Sequence, residues 1–317
     1  MRSRFRLRPA AALVALALVA VAPVGLPASE AAAPSAAIPS PVPAEGPRVV
    51  QMSRTVWRDG WTHFGGFSGL WVSDDGSRFT VISDRGAFAE GWFERDGGEI
   101  EAARMGRRAR LHGIDGTRLE GGDVDAEGMA IDGRGRAYVS FENFHRIRRY
   151  DDLIGPATSV PSPRDFARLQ QNSGIETLAL DANGTLYAVP ERSGALTRPF
   201  PVYRLAGGRW DKSWTIPREG TFVPVDADFG PDGRFYLLER DFKWLGGFAT
   251  RLRRFDVTPQ GFANEATLLR THFGELDNME GLAAWRDPEG RTRLTLVSDD
   301  NFFPLQQTIF VEYVVEG

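Results

Sequence analysis

Five stretches of this chain repeat one pattern, and that repeat limits the fold more than any other feature. They are FSGLWVSDDGSRFTVISDRG (67–86), DAEGMAIDGRGRAYVSFEN (125–143), GIETLALDANGTLYAVPER (174–192), VDADFGPDGRFYLLER (225–240) and NMEGLAAWRDPEGRTRLTLVSDDN (278–301). Each opens on a short apolar strand, turns, and returns along a second strand that ends on an acid. In the clearest copy, Asp181-Ala182-Asn183-Gly184 makes the turn, where Asn and Gly are expected to accept positive φ. The opening positions Ser68, Glu127, Glu176, Asp226 and Glu280 lie 49 to 59 residues apart. A period of that size is the signature of a repeat architecture.

The sequence between the copies supplies more strands. Gly91–Arg95 and Ile100–Arg104 follow the first, Arg146–Tyr150 the second, Pro201–Leu205 and Lys212–Ile216 the third, and Thr250–Phe255 and Ala266–Thr271 the fourth. The fifth is followed only by Thr308–Val315, while Val49–Trp57 stands alone near the start. Four-stranded units of about 40 to 55 residues, the last completed by a terminal strand, describe an all-β propeller. The motif count predicts five blades; a sixth, degenerate blade between Gly86 and Asp123 is the alternative. A β-sandwich gives no reason for the motif to recur. Pro163–Gln171 is the one short helix candidate.

Residues 1–33 read as a secretory signal peptide: Arg2, Arg4, Arg6 and Arg8 precede an Ala/Leu/Val run from Ala10 to Ala22, and an A-x-A site ends at Ala33. The run is short for a membrane span and Pro23 interrupts it, so no membrane anchor is expected after cleavage. Residues 34–47 form a Pro/Ala-rich lead-in, and residues 48–317 the propeller. Periplasmic or secreted localisation follows. Cleavage removes those four arginines and Glu30 and moves the net charge from -4 to -7, which argues against nucleic acid as a partner. There is no cysteine, so disulfides, thiol nucleophiles and Cys-ligated zinc are excluded. Oligomeric state is not readable.

In a propeller the innermost strands meet around the axis. The opening residues Glu127, Glu176, Asp226 and Glu280 therefore converge, as do the residues ending the second strands: Asp84, Glu142, Glu191, Glu239 and Asp299, with Asp300 adjacent. In the fourth copy Glu239 follows Asp226 by 13 residues, against 15 in the second and third, so the turn or a bulge must differ there. Converging carboxylates raise one another's pKa and require protons, arginines or a hard cation. All-oxygen donors suit Ca²⁺, which takes 6–8 oxygens. The alternative is structural, with acids capping turns or pairing with Arg. Arg follows the acid in Asp84-Arg85, Glu191-Arg192 and Glu239-Arg240, and Arg forks bind phosphate or carboxylate. Arg85, Arg192 and Arg240 are thus candidates for holding a small anionic ester, or for internal ion pairs.

Other chemistry leaves no trace. Ser68 lacks the G-x-S-x-G elbow, and there is no P-loop, dinucleotide fingerprint, zinc-protease helix or EF-hand. Asp123-Val124-Asp125 resembles half a calcium loop without its downstream part. His63 precedes the first copy, while His112, His145 and His272 have no ligand spacing. Any hydrolysis is therefore expected to use cation-assisted water, with Asp84 as base.

FGGFSGL (64–70), SDRG (83–86), EGMAID (127–132), LLERDF (237–242) with Arg251-Leu252, and NMEGLAA…LVSDDNF (278–302) together resemble the "esterase-like activity of phytase" family. The resemblance implies a propeller related to calcium-dependent phytases and hydrolysis of phosphate or other esters. It carries over to Asp84, Arg85, Glu127, Glu280, Glu239, Arg240, Asp299 and Asp300. Propeller phytases use several Lys for phosphate, whereas this chain has only Lys212 and Lys243. Calcium-dependent lactonases share EGL-type strands, so a lactonase, or a non-catalytic propeller holding a structural ion, stays open.

Overall fold

The computed structural model describes residues 46–170 and 173–317. The signal-peptide reading and most of the lead-in fall outside the described residues. Among those described, no helix is long and apolar enough to cross a membrane.

Twenty strands form five four-stranded antiparallel sheets. β1 (Arg48–Val56) precedes blade one, which contains β2 (Phe67–Val72), β3 (Arg78–Ser83), β4 (Ala87–Asp96) and β5 (Glu99–Arg110). Blade two holds β6 (Ala126–Ile131), β7 (Ala137–Phe141), β8 (Arg146–Tyr150) and β9 (Thr158–Ser159). In blade three stand β10 (Ile175–Leu180), β11 (Leu186–Pro190), β12 (Phe200–Ala206) and β13 (Arg209–Ile216). Blade four has β14 (Val223–Phe229), β15 (Phe235–Lys243), β16 (Gly247–Thr258) and β17 (Gly261–Arg270). Blade five joins β18 (Asn278–Arg286), β19 (Thr292–Asp299) and β20 (Ile309–Glu316) to β1, paired from Arg48↔Glu316 to Val56↔Ile309. The N-terminal strand thus closes the ring as expected. β2, β6, β10, β14 and β18 neighbour one another in a closed circle.

Among the described residues there is no sixth blade. The interval from Gly86 to Asp123 is long because β4 and β5 are long and because residues 111–125 form a loop, pinned by the His112↔Arg118 bridge. The expected helix at 163–171 is a 3₁₀ turn, Arg164–Arg168. In the Asp181 turn only Gly184 takes positive φ (+77°); Asn183 does not. There the Asp181 carboxylate accepts the Asn183 and Thr185 N–H groups, at 2.9 and 2.8 Å. That self-bonding Asp turn recurs at Asp75, Asp132, Asp232 and Asp287. All five turns lie at the same end of the ring.

The core is five wedges, one between each pair of adjacent blades. The wedge between blades five and one is aromatic, with Trp57 stacked on Phe67 at 5.0 Å and packed edge-on against Phe79 at 5.1 Å. Because wedges lie on both faces of every blade, strands such as β11 are buried at each position rather than alternating in and out.

Candidate functional site: the acidic mouth

At the end opposite the Asp turns, every inner strand opens with a pairing irregularity: at Ser68, at Glu127-Gly128, at Glu176, at Val225 and at Glu280. A bulge leaves its extra residue unpaired and re-aims it. In blades two, three and five that residue is a glutamate, and it turns into the mouth of the channel. The Gly after it in the EG motif has a packing reason. A Cβ on Gly128 would collide with the Glu176 carbonyl oxygen of the next blade, and one on Gly281 would stand 2.8 Å from the Leu70 Cβ. In blade one Ser68 takes the place of the acid, and its hydroxyl donates to the Ala126 carbonyl at 2.6 Å.

Blade four departs by one residue. Its bulge falls at Val225, so Asp226 pairs with Leu238 and Glu239 with Pro224. Glu239 is therefore level with Phe141 and Pro190, whereas Arg240 is level with Glu142 and Glu191. Two of the expected ring acids are displaced from the mouth, and a third, Asp300, is held at its edge beside Asp84 and Asp299. Glu239 is fully buried inside the blade and receives Arg253 Nη2 at 2.6 Å, Arg253 Nε at 2.8 Å and Arg251 Nε at 2.6 Å. Asp226 sits deeper in the channel, where its carboxylate accepts the N–H of Leu282 at 2.7 Å and of Ala227 at 2.9 Å. Asp300 turns into its own loop and accepts the Gly66 and Phe302 N–H groups, both at 3.1 Å. Each of these three carboxylates is held by guanidinium or backbone donors.

The mouth that remains joins Asp84 of blade one, Asp125, Glu127 and Glu142 of blade two, Glu176 and Glu191 of blade three, Arg240 of blade four, and Glu280 with Asp299 of blade five. Oxygens of Asp125, Glu127 and Glu142 all lie within 4.8 Å of one another. Asp125, fixed by Asn143 Nδ2 at 2.7 Å, was visible in sequence only as the end of Asp123-Val124-Asp125. Its place is set by the loop entering β6. Glu142 also accepts the Gly174 N–H at 2.7 Å. Asn278, which carries no charge to mark it, donates to Glu280 at 2.8 Å.

Burial is the first cause of the mouth's raised acidities. It holds Glu127 well above the usual carboxylate range, helped by the charges of Glu176, Asp125 and Glu142. Glu176 is raised in the same way, by burial and then by Glu191, with Arg240 opposing. Burial also lifts Asp125, Asp84 (to about 6) and Asp299 (to about 7). Asp84 packs so tightly over Gly66 that a Cβ there would strike its oxygen, and Gly66 has φ +63°.

The three expected arginines separate. Arg240 donates from Nη1 to Glu280 and, at 3.0 Å, to Asn278, with Glu191 at 3.6 Å from Nη2. Arg192 is tied to the Ser173 hydroxyl at 2.8 Å and to Glu191 at 3.3 Å. Arg85 is exposed and lies 3.0 Å over the Phe302 ring. Of the three, Arg240 alone bridges ring acids of two different blades.

A family model described as phytase-like, esterase-like activity of phytase, matches residues 62–302. No curated protein matches the chain. Among solved structures it is similar to the PQQ-bound aldose sugar dehydrogenase of Streptomyces coelicolor (TM-score 0.48, 15% identity, 83% of this chain and 98% of that one). It is also similar to a luciferin-regenerating enzyme (0.46, 11%, 85% and 95%) and to a putative gluconolactonase (0.42, 13%, 86% and 94%).

Proposed function

The chain belongs to the phytase-like family, and from that premise we propose that it is an exported, metal-dependent hydrolase of phosphate or other esters. The observation that carries the reading is the Asp125–Glu127–Glu142 cluster. Its three donors lie within 4.8 Å of one another, and none of the three carboxylates forms an ion pair with an Arg or Lys among the described residues. The donor set is all oxygen and anionic, which fits a hard divalent cation, Ca²⁺ first. Asp125, Glu127 and Glu142 would hold it, with Glu176 beside them. The bound cation supplies Lewis acidity toward an ester oxygen and toward water.

This chain's own groups supply the remainder. Asp84, held at about 6 by burial, takes the proton from the attacking water near neutral pH. Arg240 leaves its contact with Glu280 to meet the substrate's anionic group, and Asn278 keeps Glu280 in place. Gly66 lets Asp84 reach the mouth without a clash. Arg85 and Arg192, outside the acid ring, add positive potential at its edge.

The test is turnover of an aryl phosphate, an aryl acetate and a simple lactone by residues 34–317, with Ca²⁺ or with EDTA, while melting temperature is followed in parallel. Turnover restored by Ca²⁺ and lost in Glu127→Gln and Glu142→Gln supports the reading, and the substrate class chooses among phosphatase, esterase and lactonase. A melting shift without turnover of any ester reduces the centre to a structural pin.

A further inference from the structure

The mouth end and the turn end of the ring differ in surface chemistry. Connections from second to third strand all emerge at the mouth, and in blades two to five they expose Phe144, Leu196, Trp244, Leu245, Phe303 and Leu305. Leu245 is 97%, Trp244 88% and Leu305 83% exposed. Among the described residues, every large apolar side chain more than half exposed lies on these connections, except Ile114 in the β5–β6 loop and Phe242 near the end of β15. The opposite end carries the five Asp turns. Scattered exposed apolar residues are ordinary, but an apolar collar confined to one end marks an interaction face.

The β15–β16 hairpin shapes that face. In the other blades the ladder between second and third strands stops below the ring acids. Here it continues past Arg240↔Thr250 to Lys243↔Gly247, which carries Trp244 and Leu245 about 10 Å beyond the ring. Phe242 packs on Phe248 at 4.9 Å, and the Lys243 ammonium lies 4.1 Å from the Phe273 ring centre. The tip is therefore a supported finger with Trp and Leu at its end and a cation at its side, the side-chain chemistry that partitions to a lipid–water interface. Lys243, Arg198 and Arg85 form no ion pair among the described residues, so the collar offers free positive charge. The acids lie about a Debye length below the tip, where salt screens most of their repulsion.

We propose that the mouth face docks on a lipid surface bearing anionic headgroups, with Trp244 and Leu245 inserted, Lys243 at headgroup level, and Arg198 and Arg85 adding attraction from nearer the ring. A planar surface meets connections of four blades at once, which a small ligand seated on the axis does not. Docking is independent of whether the mouth hydrolyses anything.

The test is co-sedimentation of residues 34–317, which contain the whole closed ring, with vesicles of phosphatidylglycerol and phosphatidylcholine and with vesicles of phosphatidylcholine alone. The expected results are binding to the anionic vesicles, weakening with salt, and a loss on the order of ten-fold or more in Trp244→Ser/Leu245→Ser. Ile154→Ser, at the other end, should bind as the parent does. No binding by the parent, equal binding to neutral vesicles, or full binding by the double variant overturns the proposal. So does a vesicle-independent dimer abolished by the double variant, which makes the finger a protein contact instead.

Discussion

Arg240 of blade four donates to the carboxylate of Glu280 in blade five, and in doing so stands where blades two and three place Glu142 and Glu191. One guanidinium thus neutralises one side of an acid ring and leaves the side formed by Asp125, Glu127 and Glu142 with no Arg or Lys ion pair among the described residues.

Arg240→Ala is expected to lower kcat/KM by about 10²-fold through loss of anion binding. Removing one partner of a mostly buried pair should also cost about 2–4 kcal/mol at pH 8. The cost should shrink at pH 5, where the raised carboxyls of the mouth hold protons. Urea unfolding at the two pH values, beside steady-state kinetics, checks both parts. Equal costs at pH 5 and 8 would contradict the electrostatic account.

Glu239→Gln separates structure from chemistry. The buried Arg251 and Arg253 would lose their shared counter-charge, at a cost of about 3–5 kcal/mol. Turnover per folded molecule and the Ca²⁺-induced melting shift should stay as in the parent. A lost Ca²⁺ response in a folded variant would return Glu239 to the mouth.

Asp84 at about 6, with Asp299 and Asp228 at about 7, titrates above the usual carboxylate value in the folded chain, in each case chiefly through burial. A raised folded-state pKa gives stability that is complete below the unfolded value, about 4, and is lost as pH rises through the folded one. In EDTA the melting temperature should therefore fall from pH 5 to pH 8. Added Ca²⁺ should restore it more at pH 8 than at pH 5, because protons already neutralise the mouth at the lower pH. Scanning calorimetry with and without Ca²⁺ decides; a metal effect independent of pH would count against binding at these acids.

Gly66→Ala places a methyl against the Asp84 oxygen and against the Phe302 ring at a backbone of φ +63°. A loss of about 1–2 kcal/mol in stability is expected from the left-handed backbone alone. Turnover should drop by an order of magnitude or more as Asp84 is displaced. Gly184→Ala, also at positive φ but with open space around it, should show the stability loss with turnover unchanged.

The five-fold repeat was readable because each blade needs the same strand–turn–strand unit, and ring closure followed from the orphan strand at Val49–Trp57. The glutamates of the EG motifs were readable for the same reason. Asp125 is legible only as the end of Asp123-Val124-Asp125, and the roles of Asp125 and Asn278 at the mouth are hidden, because no periodic signal marks a residue on a loop or a strand's first position.

Sequence alone determined the fold class, the blade number by motif count, the closing strand and the end at which the acids gather. The tertiary structure decided which acids reach the mouth. Side chains alternate along a strand with a period of two, so a bulge shifted from Asp226 to Val225 turns Glu239 inward to Arg253 and brings Arg240 to the ring. Spacing showed that blade four differs. The direction of the slip, and with it the sign of the charge at that position, emerges only when the strands pair.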